Sequence, residues 1–514
     1  MAESSRGPWW HAAAIIALCA ALFLPRLGER GLAQTEGHRV MPAWAMLEVD
    51  GAGSASGVLV PEMFDRPYLR KPPGMPWAVA ASGWVFGASE WSARLVSVLA
   101  TTAAALASWW FAARWFGGRW ALAAGLGYAL MPVWWPSART AEIEALMLAG
   151  TTLAVLGVLD AAIVRRGFAC GVALAAGLTV AVLSKGPAAL PAIGAALAVA
   201  VVLGRGSRGA LWIGLAAALL VIGGLTWRIT IAAAGAGPEL VTQGSGEFLW
   251  RDVVGVLALP AVVLASGMPA SLALVFAWGP DAKRERFGEQ DDGVVRAARL
   301  VTWTVCASVG VYALVGVDNP RYAWPALVAV PALLPYVWRG VFADDGFLPK
   351  RVAIGRLMLL GSRWSWAAML GAAGLGYAVW GEARFSAESG RAAGLEVPAM
   401  IDAADRGLAL LADGMIEARP EVVFHAARAS GVRAAWTKLD EQLIARAPVF
   451  VLLRDDATGG EWDVLRERFA TELVFVELGR VRAHKFEGVL ARVTRVAAAD
   501  SGTMEGSPEH APGE

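Results

Sequence analysis

The chain consists mainly of long apolar runs separated by short polar loops. Runs of about 18 or more apolar residues are long enough to cross a bilayer as helices. The first run extends from Trp9 to Leu24. Further runs of roughly spanning length lie at residues 92–113, 119–136, 144–163, 168–183, 187–204, 209–230, 255–277, 299–317, 321–338 and 357–380. The pattern therefore predicts an α-helical polytopic membrane protein with about eleven transmembrane helices.

The loop between the first two predicted spans, residues 26–91, is unusually long. It contains two apolar stretches, Met41–Val49 and Pro76–Phe86, that are too short to span a bilayer. Stretches of this length fit helices that lie in the membrane interface. No Ala-x-Ala cleavage pattern follows Leu24, so the first helix is predicted to be retained and not removed as a signal peptide.

The apolar runs end near residue 385, which gives a predicted transmembrane domain of residues 1–385. After it, helix-like segments such as Trp462–Phe469 lie between short strand-like runs. The strand-like runs are Val422–Phe424, Val449–Leu453, Leu473–Leu478 and Val489–Val493. This mixture predicts a small extracytoplasmic α/β domain over residues 386–497. Residues 498–514 are rich in Gly, Ser, Pro and Glu, which predicts a disordered tail.

Composition supports the membrane prediction. Hydrophobic residues make up 57% of the 514 residues and charged residues 17%, against about 45–50% and about 25% in soluble domains. This excludes a soluble enzyme and a disordered chain. The net charge of +1 predicts no nucleic-acid partner. All three cysteines lie in apolar runs, which favours packing over a disulfide framework or a metal site: Cys19, Cys170 and Cys306.

Basic residues are distributed unequally between the two sets of loops. One set carries clusters, such as Arg165 with Arg166 and the run from Lys283 to Arg299. The other set carries mainly single positive residues, such as Arg251. Because Lys and Arg are enriched in cytoplasmic loops, the first set is predicted to be cytoplasmic. The N-terminus would then lie on the cytoplasmic side of the cytoplasmic (inner) membrane. Loop 26–91 and the C-terminal domain would lie on the extracytoplasmic side.

Five clusters of polar residues lie at the predicted outer ends of helices. Ionisable groups near membrane depth are costly, and they commonly mark functional sites. Each cluster alone also fits an ordinary role, such as a solvated loop, a contact with lipid headgroups, compensation of a helix dipole, a turn or a capped helix. In chain order the clusters are residues 34–39, 68–74, 137–144, 183–187 and 317–322.

Together the clusters predict a site for a lipid phosphate. They place the carboxylates of Glu36 and Glu144 on the same membrane face as four cations. Preorganised cations stabilise the charge that develops on a leaving phosphate, and a nearby carboxylate can deprotonate an incoming hydroxyl group. The four predicted phosphate-binding cations are Lys71, Arg139, Lys185 and Arg321.

In this order the clusters resemble the polytopic GT-C glycosyltransferases that use polyprenyl-phosphate sugars. The similarity is greatest to the bacterial branch that includes the lipid A aminoarabinose transferase and the protein O-mannosyltransferase-like proteins, and it covers roughly residues 10–340. The matching segments are the acidic loop after the first helix, Tyr-x-x-Lys-Pro-Pro from Tyr68, Arg-Thr-Ala-x-x-acid from Arg139, Lys-Gly-Pro from Lys185 and Pro-Arg-Tyr-x-x-Pro-Ala from Pro320.

The chain departs from this family at three positions. The family usually has Asp-Glu in the first loop, with the Asp as the expected catalytic carboxylate, whereas this chain has Thr35-Glu36. Either Glu36 takes over that role or the catalytic assignment fails. Glu144 stands where the family has an Asp, one methylene shorter. Members with a metal tend to have an acid where this chain has Arg70, so no metal site or other cofactor is predicted, and metal dependence is left open.

The resemblance implies transfer of a sugar from polyprenyl phosphate to a lipid, glycan or protein hydroxyl outside the cytoplasmic membrane, with inversion at the anomeric carbon. In that reaction Glu36 would be the base, Glu144 would orient the donor or Arg139, and the cations would hold the phosphate. Four residues would shape the substrate site: Tyr68, His38, Arg39 and Tyr322. A lipid or solute transporter and a non-catalytic membrane scaffold are the alternative interpretations.

Overall fold

The computed structural model divides into two compact units, Met1–Gly390 and Arg391–Glu514. Residues 498–514, the predicted disordered tail, lie outside the described residues. The structure describes residues 8–32, 35–49, 57–64, 66–68, 70–164, 168–204, 208–233, 253–268, 270–274, 292–317, 319–342, 365–378, 394–401, 405, 408–412, 419–430, 432–435, 439, 443, 446–455, 461–483 and 486–496.

The described part of the first unit is mostly helical, as its runs rich in Ala and Leu favour. One short antiparallel hairpin, β1 (Glu62–Met63) with β2 (Arg66–Pro67), lies between helices α2 and α3. The helices are α1 (Trp9–Phe23), α2 (Gly37–Met46), α3 (Gly74–Phe86), α4 (Glu90–Phe116), α5 (Leu122–Ala129), α6 (Trp135–Ala138), α7 (Ile143–Val164), α8 (Phe168–Lys185), α9 (Leu190–Leu203), α10 (Arg208–Ala233), α11 (Val253–Ser266), α12 (Asp292–Val315), α13 (Pro320–Ala323), α14 (Leu334–Phe342) and α15 (Ser365–Gly376).

Within the described residues, five helices are long and apolar enough to cross a membrane. They are α4, α7, α10, α12 and the stretch Phe168–Leu203 that α8 and α9 form together. Helix α1 is apolar but shorter. The predicted break within the stretch is present, because Gly186 has a φ of +63° and begins a 3-10 turn, Gly186–Ala189, between α8 and α9. Left-handed backbone of this kind favours glycine.

Two predicted spans are wrong as single helices. Residues 119–136 contain the short helix α5 followed by a 3-10 turn, Pro132–Trp134, and α6. Residues 321–338 contain the end of α13, two 3-10 turns and the start of α14. Prolines recur through both runs, and each removes a backbone donor and clashes with the preceding helical turn. At these two places, an apolar run of spanning length did not form one continuous helix.

Helices α2 and α3 occupy the long loop where short apolar helices were predicted. Helix α2 is buried along nearly its whole length, from Gly37 to Ala45. Helix α3 is different, because its last turn exposes Trp84, Val85 and Phe86. The exposed aromatic end of α3 therefore fits the predicted interfacial helix, whereas α2 packs inside the first unit.

Close packing of α7 against α8 brings two charged residues together. A Cβ atom on Gly177 would lie 2.5 Å from the carbonyl oxygen of Gly150 and 2.5 Å from the backbone nitrogen of Ala154. Small residues allow membrane helices to approach this closely. Since α7 begins near Glu144 and α8 ends at Lys185, the antiparallel pair places both side chains at one end of the bundle.

The second unit contains a five-stranded sheet of order β4-β3-β5-β7-β6. Strand β3 is parallel to β4 and β5, whereas β7 is antiparallel to β5 and β6. The elements are β3 (Ala409–Leu411), α16 (Pro420–Ser430), β4 (Arg433–Ala435), β5 (Val449–Arg454), α17 (Glu461–Arg468), β6 (Leu473–Ala483) and β7 (Phe486–Arg495).

Most elements predicted in this unit are confirmed. The strands near 449–453, 473–478 and 489–493 are present, and the predicted helix near 462–469 is α17. The predicted strand Val422–Phe424 is wrong, because these residues lie in α16. A run of three buried apolar residues fits a helix and a strand equally well.

Candidate active site

Glu36 lies at the start of α2 and is fully buried. Arg94 donates from Nε to Oε1 at 2.8 Å and from Nη2 to Oε2 at 2.9 Å. Arg30 donates from Nη1 to Oε2 at 3.1 Å, and the backbone N–H of Ala141 donates to Oε1 at 2.8 Å. Both carboxylate oxygens are therefore engaged, and they join α2 to α4 and to the segment before α7.

Arg94 is an arginine in the first turn of the spanning helix α4, and its side chain is fully buried. Besides the two bonds to Glu36, it donates to the carbonyl oxygens of Leu27 and Arg30, each at 2.9 Å, and of Gly31 at 2.8 Å. These five bonds use all five N–H groups of a guanidinium. The sequence analysis missed Arg94, although an ionisable residue at the start of an apolar run signals a buried partner.

The environment of Glu36 makes it a weak base. Burial alone would raise its pKa, but the positive charges of Arg94 and Arg30 and their hydrogen bonds outweigh burial and lower the pKa to about 2. A general base works best when its pKa lies near the operating pH. The role of Glu36 as the base stays a prediction, and it would require the carboxylate to release one of its partners.

Arg139 has its terminal nitrogens occupied by the end of α1. Nη1 donates to the carbonyl oxygen of Phe23 at 2.9 Å, and Nη2 donates to that of Pro25 at 2.7 Å. Carbonyl groups at a helix C-terminus lack intrahelical partners, and a basic side chain commonly satisfies them. This geometry gives Arg139 the task of fixing α1, and it does not support the predicted contact with a phosphate.

Glu144, Lys185 and Arg321 form one ion-paired group. Oε1 of Glu144 accepts from Nζ of Lys185 at 2.8 Å, from Nε of Arg321 at 2.7 Å and from Nη2 of Arg321 at 2.6 Å. Lys185 Nζ also lies 4.2 Å from the ring centroid of Tyr322, within the range of a cation–π contact. Glu144 thus orients Lys185 and Arg321, whereas the sequence predicted that it orients the donor or Arg139.

The Lys-Pro-Pro segment lies against this group. The charge of Lys71 acts on that of Lys185, and a Cβ atom on Gly186 would lie 4.0 Å from Cγ of Pro72. A Cβ atom on Gly74 would lie 2.5 Å from the carbonyl oxygen of Leu183. Glycine at position 74 is therefore needed for the close approach that holds Lys71 beside the end of α8.

Replacing Gly74 with alanine is expected to displace the Lys-Pro-Pro segment, because a Cβ contact of 2.5 Å with backbone forces one of the two chains to move. A misplacement of about 1 Å in a positioned group can reduce turnover by about 100-fold. The effect is measured as the rate at which the purified variant transfers sugar from a polyprenyl-phosphate donor, the reaction that the resemblance implies. Gly194→Ala in α9 is the matched control, because nothing lies within 4 Å of its Cβ position. Equal activity of both variants would contradict the packing argument.

The predicted substrate-shaping residues of the first loop are also brought together. Nη1 of Arg39 donates to the hydroxyl oxygen of Tyr68 at 2.6 Å, and the rings of His38 and Tyr68 lie 6.3 Å apart. All three side chains are buried. Burial opposes the charged form of Arg39, but its contact with Tyr68 and the charges of Glu142 and Glu144 raise the pKa of Arg39 above its ordinary value.

Glu142 is a buried carboxylate in the cluster of residues 137–144, and the sequence analysis gave it no role in the site. The hydroxyl group of Thr35 donates to its Oε1. Burial and the charge of Glu144 raise the pKa of Glu142, although Arg39, Thr35 and Arg321 act in the opposite direction. The pKa of Glu142 is raised whereas that of Glu36 is lowered, because Glu36 is the more strongly paired carboxylate.

The structure therefore assembles all five predicted clusters in the first unit. Contacts link the first loop to residues 137–144, and link those residues through Glu144 to Lys185 and Arg321. Asp318 lies outside the described residues. Among the described residues, no group of three or more His, Cys, Asp or Glu side chains could hold a metal ion. The candidate site is thus built from cations and carboxylates that hold each other in place.

Two solved structures share the fold of this chain. The structure of ArnT from Cupriavidus metallidurans in the apo state matches with a TM-score of 0.65 at 17% identity, over 93% of this chain and 96% of that chain. ArnT from the same organism bound to undecaprenyl phosphate matches with a TM-score of 0.63 at 15% identity, over 93% of this chain and 97% of that chain. The chain therefore has the fold seen in these two structures, and with its apolar helices that fold indicates a multi-pass membrane protein.

The sequence points to the same class. Residues 70–227 match the profile of the family described as dolichyl-phosphate-mannose-protein mannosyltransferase. None of the curated proteins matches the chain. Both the fold and the family profile agree with the resemblance drawn from the five clusters, so that resemblance is confirmed.

Proposed function

We propose that the protein transfers a sugar from polyprenyl phosphate to an acceptor on the extracytoplasmic side of the cytoplasmic membrane, with inversion at the anomeric carbon. The observation that carries this proposal is the group formed by Lys185, Glu144 and Arg321, with Lys71 beside it. Glu144 pairs with two cations, and the charge of a third, Lys71, acts on Lys185, so positive charge is in excess. Such a group suits an anionic ligand that gains negative charge as its bond to the sugar breaks.

The cations are well placed for a lipid-linked phosphate. Lys185 is buried and fixed by Glu144, whereas the side chain of Arg321 remains 41% exposed. A guanidinium can bind a phosphate through two parallel hydrogen bonds, and an ammonium adds a compact point charge. Lys71, Lys185 and Arg321 are therefore the proposed donor phosphate ligands, and Arg139 is left to its contacts with α1.

Two further observations support a polyprenyl-phosphate donor. ArnT, which shares the fold, has been seen bound to undecaprenyl phosphate. The profile that matches residues 70–227 describes enzymes that use dolichyl-phosphate mannose. The proposed orientation rests on the loop charges alone, with the clustered basic residues inside the cell. The proposed acceptor is a hydroxyl group of a lipid, a glycan or a protein, and the second unit keeps no assigned role.

The test uses the purified full-length protein in lipid nanodiscs with a panel of polyprenyl-phosphate-linked hexoses and pentoses, and a membrane extract as acceptor. The expected result is release of polyprenyl phosphate together with glycosylated acceptor, with the anomeric configuration inverted. Arg321→Met is expected to reduce donor cleavage strongly. Movement of lipid across sealed vesicles without cleavage would instead support a transporter, and absence of both activities would support a scaffold.

A further inference from the structure

The three carboxylates of the candidate site differ in how their charges are compensated. Glu36 receives hydrogen bonds from arginines on both oxygens. Glu144 is paired with two cations through Oε1, and its buried Oε2 has no hydrogen-bond partner among the described residues. Glu142 receives one hydrogen bond, from Thr35 to Oε1. Among the described residues its buried Oε2 has no hydrogen-bond partner, and Nη2 of Arg321 lies 3.8 Å away.

An unsatisfied carboxylate oxygen in a buried site calls for a donor, because leaving it unpaired is costly. An acceptor hydroxyl group is such a donor. We infer that Glu142 is the general base that deprotonates the acceptor, and that Thr35 orients its carboxylate. This inference rests on the proposed function. It assigns the role of base to Glu142 in place of Glu36, because two arginines pair with the carboxylate of Glu36.

The step balances without a further reactant. The acceptor oxygen forms a bond to the anomeric carbon of the sugar as its proton passes to Oε2 of Glu142. The bond between the anomeric carbon and the phosphate oxygen breaks, and the electron pair leaves with the polyprenyl phosphate. The charge gained by the phosphate is stabilised by Lys71, Lys185 and Arg321. Glu142, now protonated, returns its proton to water after the products leave.

Charged groups on each neighbouring element set the proton affinity of Glu142. Glu144 of α7 makes protonation easier, whereas Arg39 of α2 and Arg321 of α13 make it harder. The hydroxyl of Thr35 bonds to the charged form and also makes protonation harder. With burial included, the pKa is raised, which brings Glu142 closer to neutral pH than Glu36 and suits a base.

The first test replaces Glu142 with glutamine, which keeps the size of the side chain and can still accept the bond from Thr35. Turnover is expected to fall by about 100-fold or more, the usual contribution of a general base. Donor binding, measured with a non-transferable polyprenyl-phosphate analogue, and the unfolding temperature are expected to change little. Glu142→Asp keeps a carboxylate and is expected to recover part of the activity.

The second test uses the pH dependence of turnover. A base must be ionised, so turnover rises as the pH increases through the pKa of Glu142. Thr35→Val removes a hydrogen bond that favours the ionised form, which raises that pKa. The acidic limb of the pH profile is therefore expected to shift to higher pH in Thr35→Val. If Glu36 were the base, Thr35→Val would not move the limb, because the hydroxyl of Thr35 bonds to Glu142.

The outcomes separate this inference from the proposed function. If the wild type and Glu142→Gln both turn over at similar rates, or if Thr35→Val leaves the acidic limb in place, the inference is overturned and the proposed function stands. If the wild type cleaves no donor in the panel, the proposed function fails and Glu142 loses its role with it. A shifted limb together with loss of turnover in Glu142→Gln supports both.

Discussion

Replacing Arg94 with methionine is expected to lower the free energy of unfolding by about 3–5 kcal/mol, the usual cost of removing one partner from a buried ion pair. The variant loses the bidentate contact with Glu36 and leaves the carbonyl groups of Leu27, Arg30 and Gly31 without the donors they have now. Unfolding in detergent, followed by temperature or denaturant, measures the change.

Two variants serve as controls for this prediction. Arg119→Met removes an exposed arginine whose ring contact is with Trp120, and it is expected to change stability by less than about 1 kcal/mol. Arg94→Lys keeps the charge but loses the planar fork, and it is expected to be nearly as damaging as Arg94→Met. If Arg94→Met unfolds like the wild type, the buried group around Glu36 does not hold the first loop.

The pH dependence of unfolding tests the same group from the side of Glu36. Its pKa in the folded protein is lowered from 4.5 to about 2, so the folded state is stabilised above pH 4.5 and loses that stability as the pH falls toward 2. In Glu36→Gln this part of the acid dependence is expected to be absent. If Glu36→Gln abolishes turnover at unchanged stability, the base is Glu36 and not Glu142.

Much of the fold could be predicted because apolar length and residue spacing carry the information. Helices α4, α7, α10 and α12 and the break at Gly186 follow from runs and a breaker visible in the sequence. The predictions of one helix each for 119–136 and 321–338 were wrong, because they rested on run length and ignored the prolines within the runs. The strand at 422–424 was wrong because three buried apolar residues carry no period.

For the site, the sequence predicted that the five clusters lie together, but it did not predict which residue in them has which role. Whether an arginine binds a ligand or caps a helix depends on which carbonyl groups the fold places near it, and Arg139 meets those at the end of α1. Whether a glutamate acts as a base depends on its partners, and the two arginines that pair with Glu36 come from outside the five clusters. Contacts between residues far apart in sequence, such as Thr35 with Glu142, decide the roles.

Replacing Glu144 with glutamine is expected to reduce turnover by about 100-fold. Oε1 of Glu144 accepts hydrogen bonds from Lys185 and Arg321 and forms an ion pair with both, so it fixes both cations at once. A neutral amide cannot compensate two positive charges that lie this close together, and the two side chains are expected to separate. Misplacement by about 1 Å is enough for a loss of this size. Donor turnover by the purified variant is the measurement.

Glu144→Asp is the matched variant, because it keeps the negative charge and removes one methylene group. If charge is what holds Lys185 and Arg321 together, aspartate is expected to retain far more activity than glutamine. Equal losses in both variants would instead mean that reach decides the geometry. Full activity in Glu144→Gln would contradict this prediction. It would mean that Lys185 and Arg321 do not need their ion pairs with Glu144 in order to bind the donor.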